Sequence, residues 1–208
     1  MQVVPIINVE TLEEVQERLN LVEPFVDWAQ IDISDGTFNE VLVWNNPKEL
    51  KQIKTALNIE VHLMVSDLEN KVEKWTEDPV KRIIFQLEAS KDPHLVIKKC
   101  KDAEKEVGVS IGPDTSWTQL MPFYDKVDLL QILSVRPGPS GQSFIEDSLQ
   151  KIQDLRENCP NATIEVDGGI NKEIAKRCKE AGADIVSAAS YIYKSKDIGR
   201  VIRELENI

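Results

Sequence analysis

Short apolar runs rich in β-branched residues alternate along the chain with longer stretches whose apolar positions recur at helical spacing. The runs predict strands at Val3–Ile7, Trp28–Ile33, Glu60–Met64, Arg82–Phe85, Gly108–Ile111, Val127–Leu133, Thr163–Val166 and Asp184–Ser187. The stretches between them predict helices over Thr11–Val22, Pro47–Leu57, Leu68–Trp75, Pro93–Val107, Ser148–Asn158 and Lys172–Ala181, with a last one near Ile198–Glu206. Strand–helix alternation argues for parallel β-α units. Eight such units in 208 residues argue for an α/β fold, a single closed (β/α)8 TIM barrel spanning residues 1–208. The competing open, doubly wound sheet usually carries a glycine-rich fingerprint after its first strand. Here that position reads IINVETLEE, without glycine.

Two irregular segments, Ser34–Asn46 and Arg136–Phe144, directly follow predicted strands and so belong on the C-terminal, catalytic face of such a barrel. Strand parity places side chains there. Residues i and i+2 share a face, so Gln30 with Asp32, and His62 with Met64, point together near their strand ends, and Asp167 closes the seventh strand just before Gly168 and Gly169. Taken singly, each of these reads equally well as part of a solvated rim. Taken together, two carboxylates from different walls suit removal of a proton from one face of a carbon α to a carbonyl and its return to the other. The enediolate formed on the way needs a positive or hydrogen-bonding partner, a role open to a divalent metal on His and Asp ligands. A second group of small residues follows strands six to eight: Gly138, Ser140 and Gly141 within PGPSG, then Gly168-Gly169, then Ala189 and Ser190. Their backbone N–H groups can approach an anion closely, and the loops after strands seven and eight commonly hold phosphate in this fold.

Charge narrows the partners. The net charge of −11 repels phosphate backbones and anionic lipid, so neither nucleic acid nor membrane is an expected partner. A phosphorylated ligand then needs local compensation, for which Arg136 is the candidate cation in the loop after strand six. The cysteines Cys100, Cys159 and Cys178 are odd in number and form no C-x-x-C pair, as expected of reduced packing thiols. The segment MQVVPIINVETLEE lacks the basic start of a signal peptide, and no apolar run reaches membrane-spanning length. The expected location is the cytoplasm.

Several segments resemble the ribulose-phosphate 3-epimerase family. QIDISDG at 30–36 is similar to its H-x-D-x-M-D-G motif, VHLMV at 61–65 to its third-strand motif, and FQLEAS at 85–90 to its F-H-L-E-A segment. SVRPGPSGQSF at 134–144 resembles S-V-N-P-G-F-G-G-Q-x-F, and IEVDGGI at 164–170 and EAGAD at 180–184 match almost letter for letter. The resemblance implies a barrel that interconverts D-ribulose 5-phosphate and D-xylulose 5-phosphate at C3, with Asp32 and Asp167 as acid and base. It implies a divalent metal (zinc, iron or manganese) on Asp32, His62 and Asp167. Gln30 stands where the family has its first ligand histidine, and offers at most an amide oxygen, a poorer ligand than imidazole. It also implies Met64, Gly138, Ser140, Gly141, Gly168, Gly169, Ala189 and Ser190 as substrate and phosphate contacts. The departures gather at the mouth: Gln30, Ile6 for a serine, Ser34 and Leu133 for methionines, Gln86 for a histidine, Arg136 for an asparagine and Ala189 for a glycine. The implied function is therefore a ketose-phosphate 3-epimerase. The alternative is a phosphosugar-binding barrel with altered specificity or no catalysis. A phosphosugar decarboxylase on the same scaffold would need an Asp-x-Lys pair at a strand end, and Asp32-Ile33-Ser34 has none. A homo-oligomer is compatible with the sequence, which does not specify one.

Overall fold

A computed structural model describes residues 1–138 and 141–208. Eight parallel strands close on themselves in sequence order. They are β1 (Gln2–Ile7), β2 (Trp28–Ile33), β3 (Asn58–Leu63), β4 (Val80–Gln86), β5 (Glu106–Ile111), β6 (Leu129–Leu133), β7 (Ile164–Asp167) and β8 (Ile185–Ala188). The helices are α1 (Leu12–Val22), α2 (Leu68–Lys71), α3 (Pro93–Asp102), α4 (Asp147–Asn158), α5 (Lys172–Ala181), α6 (Ser190–Tyr193) and α7 (Ile198–Glu206). The chain is thus a (β/α)8 TIM barrel, as the alternation predicts. No helix among the described residues is long and apolar enough to cross a membrane.

Two expected helices come out differently. The helix predicted over Pro47–Leu57 is a short 3-10 turn, Pro47–Gln52, opened by Asn46 and Pro47. It stops because α1 takes hold of the next backbone. Gln16 both accepts from the Lys54 N–H and donates to the Lys54 carbonyl, and the Glu23 carboxylate accepts from Thr55 and from the Ala56 N–H. A helix through those residues would need the same backbone groups for itself. The helix predicted over Pro93–Val107 ends at Asp102, and Glu104 turns the chain with a left-handed φ of 57° so that β5 begins at Glu106. The Leu68–Trp75 stretch is α2 followed by a 3-10 turn, Val72–Trp75. Asp67 starts it with φ 61° and gives no side-chain cap to the backbone.

Parity sorts the lumen into levels. At the N-terminal end Val4, Ile84, Leu129 and Ile185 form an apolar plug, with Trp28 packed against it. One step along the strands, buried Gln30, Glu60, Gln131, Glu165 and Ser187 make a polar belt. One step further, Asp32, His62 and Asp167 stand at the C-terminal mouth. The belt is tied to the floor by Arg82, whose guanidinium donates to Glu60 at 2.8 Å and to Glu106 at 2.7 Å and lies 4.1 Å from the Trp28 ring centre. Burial, and then the charge of Glu165, push the Glu60 carboxyl well above the usual carboxylate range, against the pull of Arg82.

That arrangement makes Arg82 the counter-charge on which Glu60 depends. Removing one partner of a buried pair leaves the other uncompensated, so Arg82→Met should lower the free energy of unfolding by about 3–5 kcal/mol in urea denaturation. Adding Glu60→Gln should recover part of the loss. A single variant as stable as the wild type would show that Arg82 does not serve Glu60.

Candidate active site

The mouth is assembled from strand ends. Asp32 and His62 are register partners on β2 and β3, and Asp167 is the last residue of β7. One oxygen from each carboxylate and one nitrogen of His62 lie within 4.8 Å of one another, and all three residues are buried. The His62 Nδ1 is 3.4 Å from Asp167 Oδ2 and 3.8 Å from Asp32 Oδ1, and it makes no hydrogen bond of good geometry. An unpartnered imidazole nitrogen between two carboxylates is a donor set that fits a divalent ion. On its other side, His62 Nε2 lies 3.1 Å from the Gln86 amide nitrogen, which also donates to Ser110. With the Gln86 amide in this orientation, His62 Nε2 accepts and the ring proton sits on Nδ1, toward the carboxylates; a reversed amide would instead accept from an Nε2 proton. For Nδ1 to bind an ion, that proton would move to Nε2, and the unpartnered carbonyl of Gln86 is the acceptor within the side chain's reach.

The carboxylates are held unequally. Asp32 accepts from Asn8 at 2.8 Å through one oxygen and from Gln30 at 2.8 Å through the other. Asp167 accepts from the same Gln30 nitrogen at 3.0 Å. Burial, followed by the charge of Asp167, lifts the Asp32 pKa to about 6, against the opposing effects of His62, Asn8 and Gln30. Burial alone would lower the His62 pKa, but the nearby carboxylates of Asp167 and Asp32 hold it above its ordinary value. Gln30 turns its nitrogen, not its oxygen, to the cluster.

Beyond the carboxylates, a cleft is lined by Ile6, Met64, Leu133, Gly138, Gly141, Gly168, Gly169, Ala189 and Ser190. Ser140 lies outside the described residues. Two glycines here answer to specific demands. Gly168 (φ 109°) and Gly169 (φ 66°) hold left-handed backbone, and a Cβ would stand 2.5 Å from a Val135 methyl in the first case and 2.4 Å from the Phe144 backbone nitrogen in the second. Arg136, the expected compensating cation, lines the cleft but is turned outward in a bidentate pair with exposed Asp114. Asp35 and Gly36, at the end of the second-strand motif, order the following loop: Asp35 pairs with Lys71 at 2.6 Å and accepts from Thr37.

Three neighbours of the site were not among the sequence candidates. Asn8 lies two residues beyond Ile6, so the parity that picked out Gln30 and Asp32 extends to it. Gln131 is a lone glutamine in the apolar strand LLQIL, a signal as plain as the charged centres of NIEVHL and IEVD. Lys194 carries no such signal. Its ammonium lies 3.9 Å from where a Cβ on Gly141 would be and makes no ion pair among the described residues.

Comparison with known proteins places the chain in a family. The profile described as "Ribulose-phosphate 3 epimerase family" matches residues 3–193. The ribulose-phosphate 3-epimerase of Chlamydia trachomatis is 34% identical over 191 residues, covering 88% of this chain and 82% of that one. That of Methanocaldococcus jannaschii is 34% identical over 189 residues, covering 88% and 80%. Among solved structures, the 3-hexulose-6-phosphate synthase of Salmonella typhimurium superposes with a TM-score of 0.78 over 100% of this chain and 97% of its own, at 18% identity, which speaks to the fold alone.

The raised Asp32 pKa has a sign that can be checked. Folded Asp32 keeps a proton between its ordinary 3.8 and about 6, where the unfolded chain has released it. Its contribution to stability is therefore full below the lower value and is lost as pH rises through the upper one. With chelator present, wild-type protein should lose stability relative to Asp32→Asn as pH is raised from about 4 to about 6 in denaturation curves. Parallel curves would mean that Asp32 titrates as an ordinary carboxylate.

Proposed function

The chain belongs to the ribulose-phosphate 3-epimerase family, and from that premise we propose that it inverts C3 of a ketose phosphate by proton transfer between Asp32 and Asp167. The observation that carries this is the convergence of the two carboxyl groups, from β2 and β7, on one buried imidazole at the mouth. A carboxyl group with a pKa near 6 holds or releases a proton readily close to neutrality, as a general acid or base must. One aspartate takes the C3 proton from one face of the sugar, and the other delivers a proton to the opposite face. Asn8 and Gln30 keep Asp32 aimed by occupying its two oxygens. The protonated Nδ1 of His62 supplies a donor for the oxygen on which enediolate charge develops. A divalent ion (zinc, iron or manganese) on Asp32, His62 and Asp167 would add positive charge at the same place when bound.

The phosphate end of the substrate fits the other half of the cleft. Gly138, Gly141, Gly168, Gly169, Ala189 and Ser190 line one cleft, and their backbone N–H groups with the Ser190 hydroxyl are the donors offered to a phosphate there. Lys194 takes the compensating role that the sequence gives to Arg136, because Arg136 is committed to Asp114. The second reading, a phosphosugar-binding barrel without turnover, is favoured by the Gln30 N–H groups that occupy one oxygen of each aspartate.

Turnover in D₂O separates the two. Wild-type protein with D-ribulose 5-phosphate should incorporate deuterium at C3 and yield both epimers. Asp32→Asn and Asp167→Asn should each lower inversion on the order of 10²–10⁴-fold, while one of them still exchanges the proton. No exchange and no inversion with five- or six-carbon ketose phosphates, with Mn²⁺ added, would leave the binding reading standing. Lys194→Met should weaken use of the phosphorylated substrate about tenfold, mainly in KM, as expected for one charge-assisted hydrogen bond. An unaltered KM would remove Lys194 from the phosphate site.

A further inference from the structure

Gln30 reaches the aspartates as the end of a chain of side-chain amides that crosses the lumen. Its nitrogen donates to Asp32 Oδ1 and Asp167 Oδ2, and its carbonyl accepts from Gln131 Nε2 at 3.2 Å. The same Gln131 nitrogen donates to Glu165 Oε1 at 2.9 Å, and Ser187 donates to that oxygen at 2.7 Å. Gln131 and Glu165 are register partners on β6 and β7, so the strand pairing itself fixes their approach. All four side chains of the chain, Gln30, Gln131, Glu165 and Ser187, are fully buried.

An amide can be turned end for end, and its surroundings decide which way it lies. Gln131 leaves its own carbonyl buried without a partner among the described residues. Such an orphan persists only where the reversed orientation is worse. Reversal here would set the Gln131 carbonyl against two acceptors, the Glu165 carboxylate and the Gln30 carbonyl. Glu165 therefore dictates the direction of Gln131, and Gln131 holds the Gln30 carbonyl end while Asp32 and Asp167 hold its nitrogen end.

We propose that Gln131 and Glu165 are positioning residues that lock the Gln30 amide with its N–H groups on Asp32 and Asp167, which makes Gln30 a clamp on the carboxylate pair and not a metal ligand. The two oxygens that Gln30 holds, Asp32 Oδ1 and Asp167 Oδ2, are those that face His62 Nδ1. A cation at that cluster competes with Gln30 for the same lone pairs. Releasing Gln30 from Gln131 lets its oxygen turn toward the cluster, which exchanges a competitor for a further oxygen donor. For turnover this rests on Asp32 and Asp167 being the reacting pair. The amide chain is independent of that reading, and the test below requires no turnover.

Calorimetric titration with Mn²⁺ alone, on the full-length protein, reads the competition. Gln131→Leu should bind Mn²⁺ about tenfold more tightly than wild type, within the usual range of second-sphere effects on metal affinity. In a Gln30→Met background the same Gln131→Leu change should leave affinity where it was, because its effect passes through Gln30. Equal affinity in wild type and Gln131→Leu, weaker binding in Gln131→Leu, or an equal gain in both backgrounds would overturn the proposal. A second measurement uses unmodified protein, in case Gln131→Leu does not fold or no variant binds Mn²⁺. The Gln30 side-chain NH₂ resonances, assigned by their loss in Gln30→Met, should exchange slowly with solvent in wild type and lose that protection in Glu165→Met. Fast exchange in wild type, or protection that survives Glu165→Met, would equally overturn it. A failed epimerase assay alongside intact amide protection would strike the catalytic reading and leave the clamp in place.

Discussion

Among the described residues, four carboxylates, Glu60, Glu165, Asp32 and Asp167, are buried on the polar belt and mouth of one lumen that supplies one guanidinium, from Arg82, and one imidazole, from His62. That excess of negative charge orders the rest of the interior. Closing the barrel removes water from these groups, and an isolated buried charge is far too costly to persist. The structure answers in three ways. Arg82 is spent on Glu60 at the floor. Neutral donors (Ser187, Gln131, Gln30 and Asn8) serve one oxygen of Glu165 and the oxygens of Asp32 and Asp167, while Glu60 Oε1 and Glu165 Oε2 have no partner among the described residues. The residual excess shows as carboxyl groups lifted above their ordinary range, Glu60 and Glu165 in the belt and Asp32 at the mouth, each chiefly by burial. The site's acid–base character is in this sense a property of the whole lumen, with Asp32 as its most exposed member.

The barrel was legible because parallel β-α units write themselves as apolar runs; parity put Asp32 and His62 on walls of the mouth, with Gln30 one step below, and the end of the seventh strand marked Asp167. What the sequence left hidden depends on partners far away along the chain. Lys54–Ala56 have helical composition, yet Gln16 and Glu23 of α1 claim their backbone groups. Glu104 ends α3 without the glycine that usually announces such a turn. Gln30 was visible as a replaced ligand, but the end it presents is decided by strands six and seven, more than a hundred residues away. Arg136 and Lys194 show the same limit for charge. Arg136 lines the cleft yet pairs with Asp114, while the Lys194 ammonium comes near Gly141 from the neighbouring pocket, and no local pattern records either placement.

The two ends of the cleft are built on different principles. The carboxylate end is made of side chains whose identities can be exchanged one at a time. The other end is made of backbone, since Gly168 and Gly169 bring the loops after β6 and β7 so close that a single methyl group would meet Val135 or Phe144. On the proposed reading, a strongly acidic protein would meet an anion there with peptide N–H groups that carry no net charge, and the Lys194 ammonium lies near Gly141.

Arg82 has a further consequence at the floor of the barrel. Polar side chains reach from the belt through Glu60 and Arg82 to Glu106, which is open to solvent at the N-terminal end. A continuous polar path of that kind would ordinarily conduct protons. A guanidinium, however, never gives its proton up in a protein and has no lone pair with which to receive another. Flanked by the apolar plug, Arg82 acts as an insulator, joining the ends of the path electrostatically while breaking it as a wire. Proton transfer along these side chains between the belt and Glu106 is therefore blocked at Arg82, and the solvent at that end of the barrel reaches the belt as charge only.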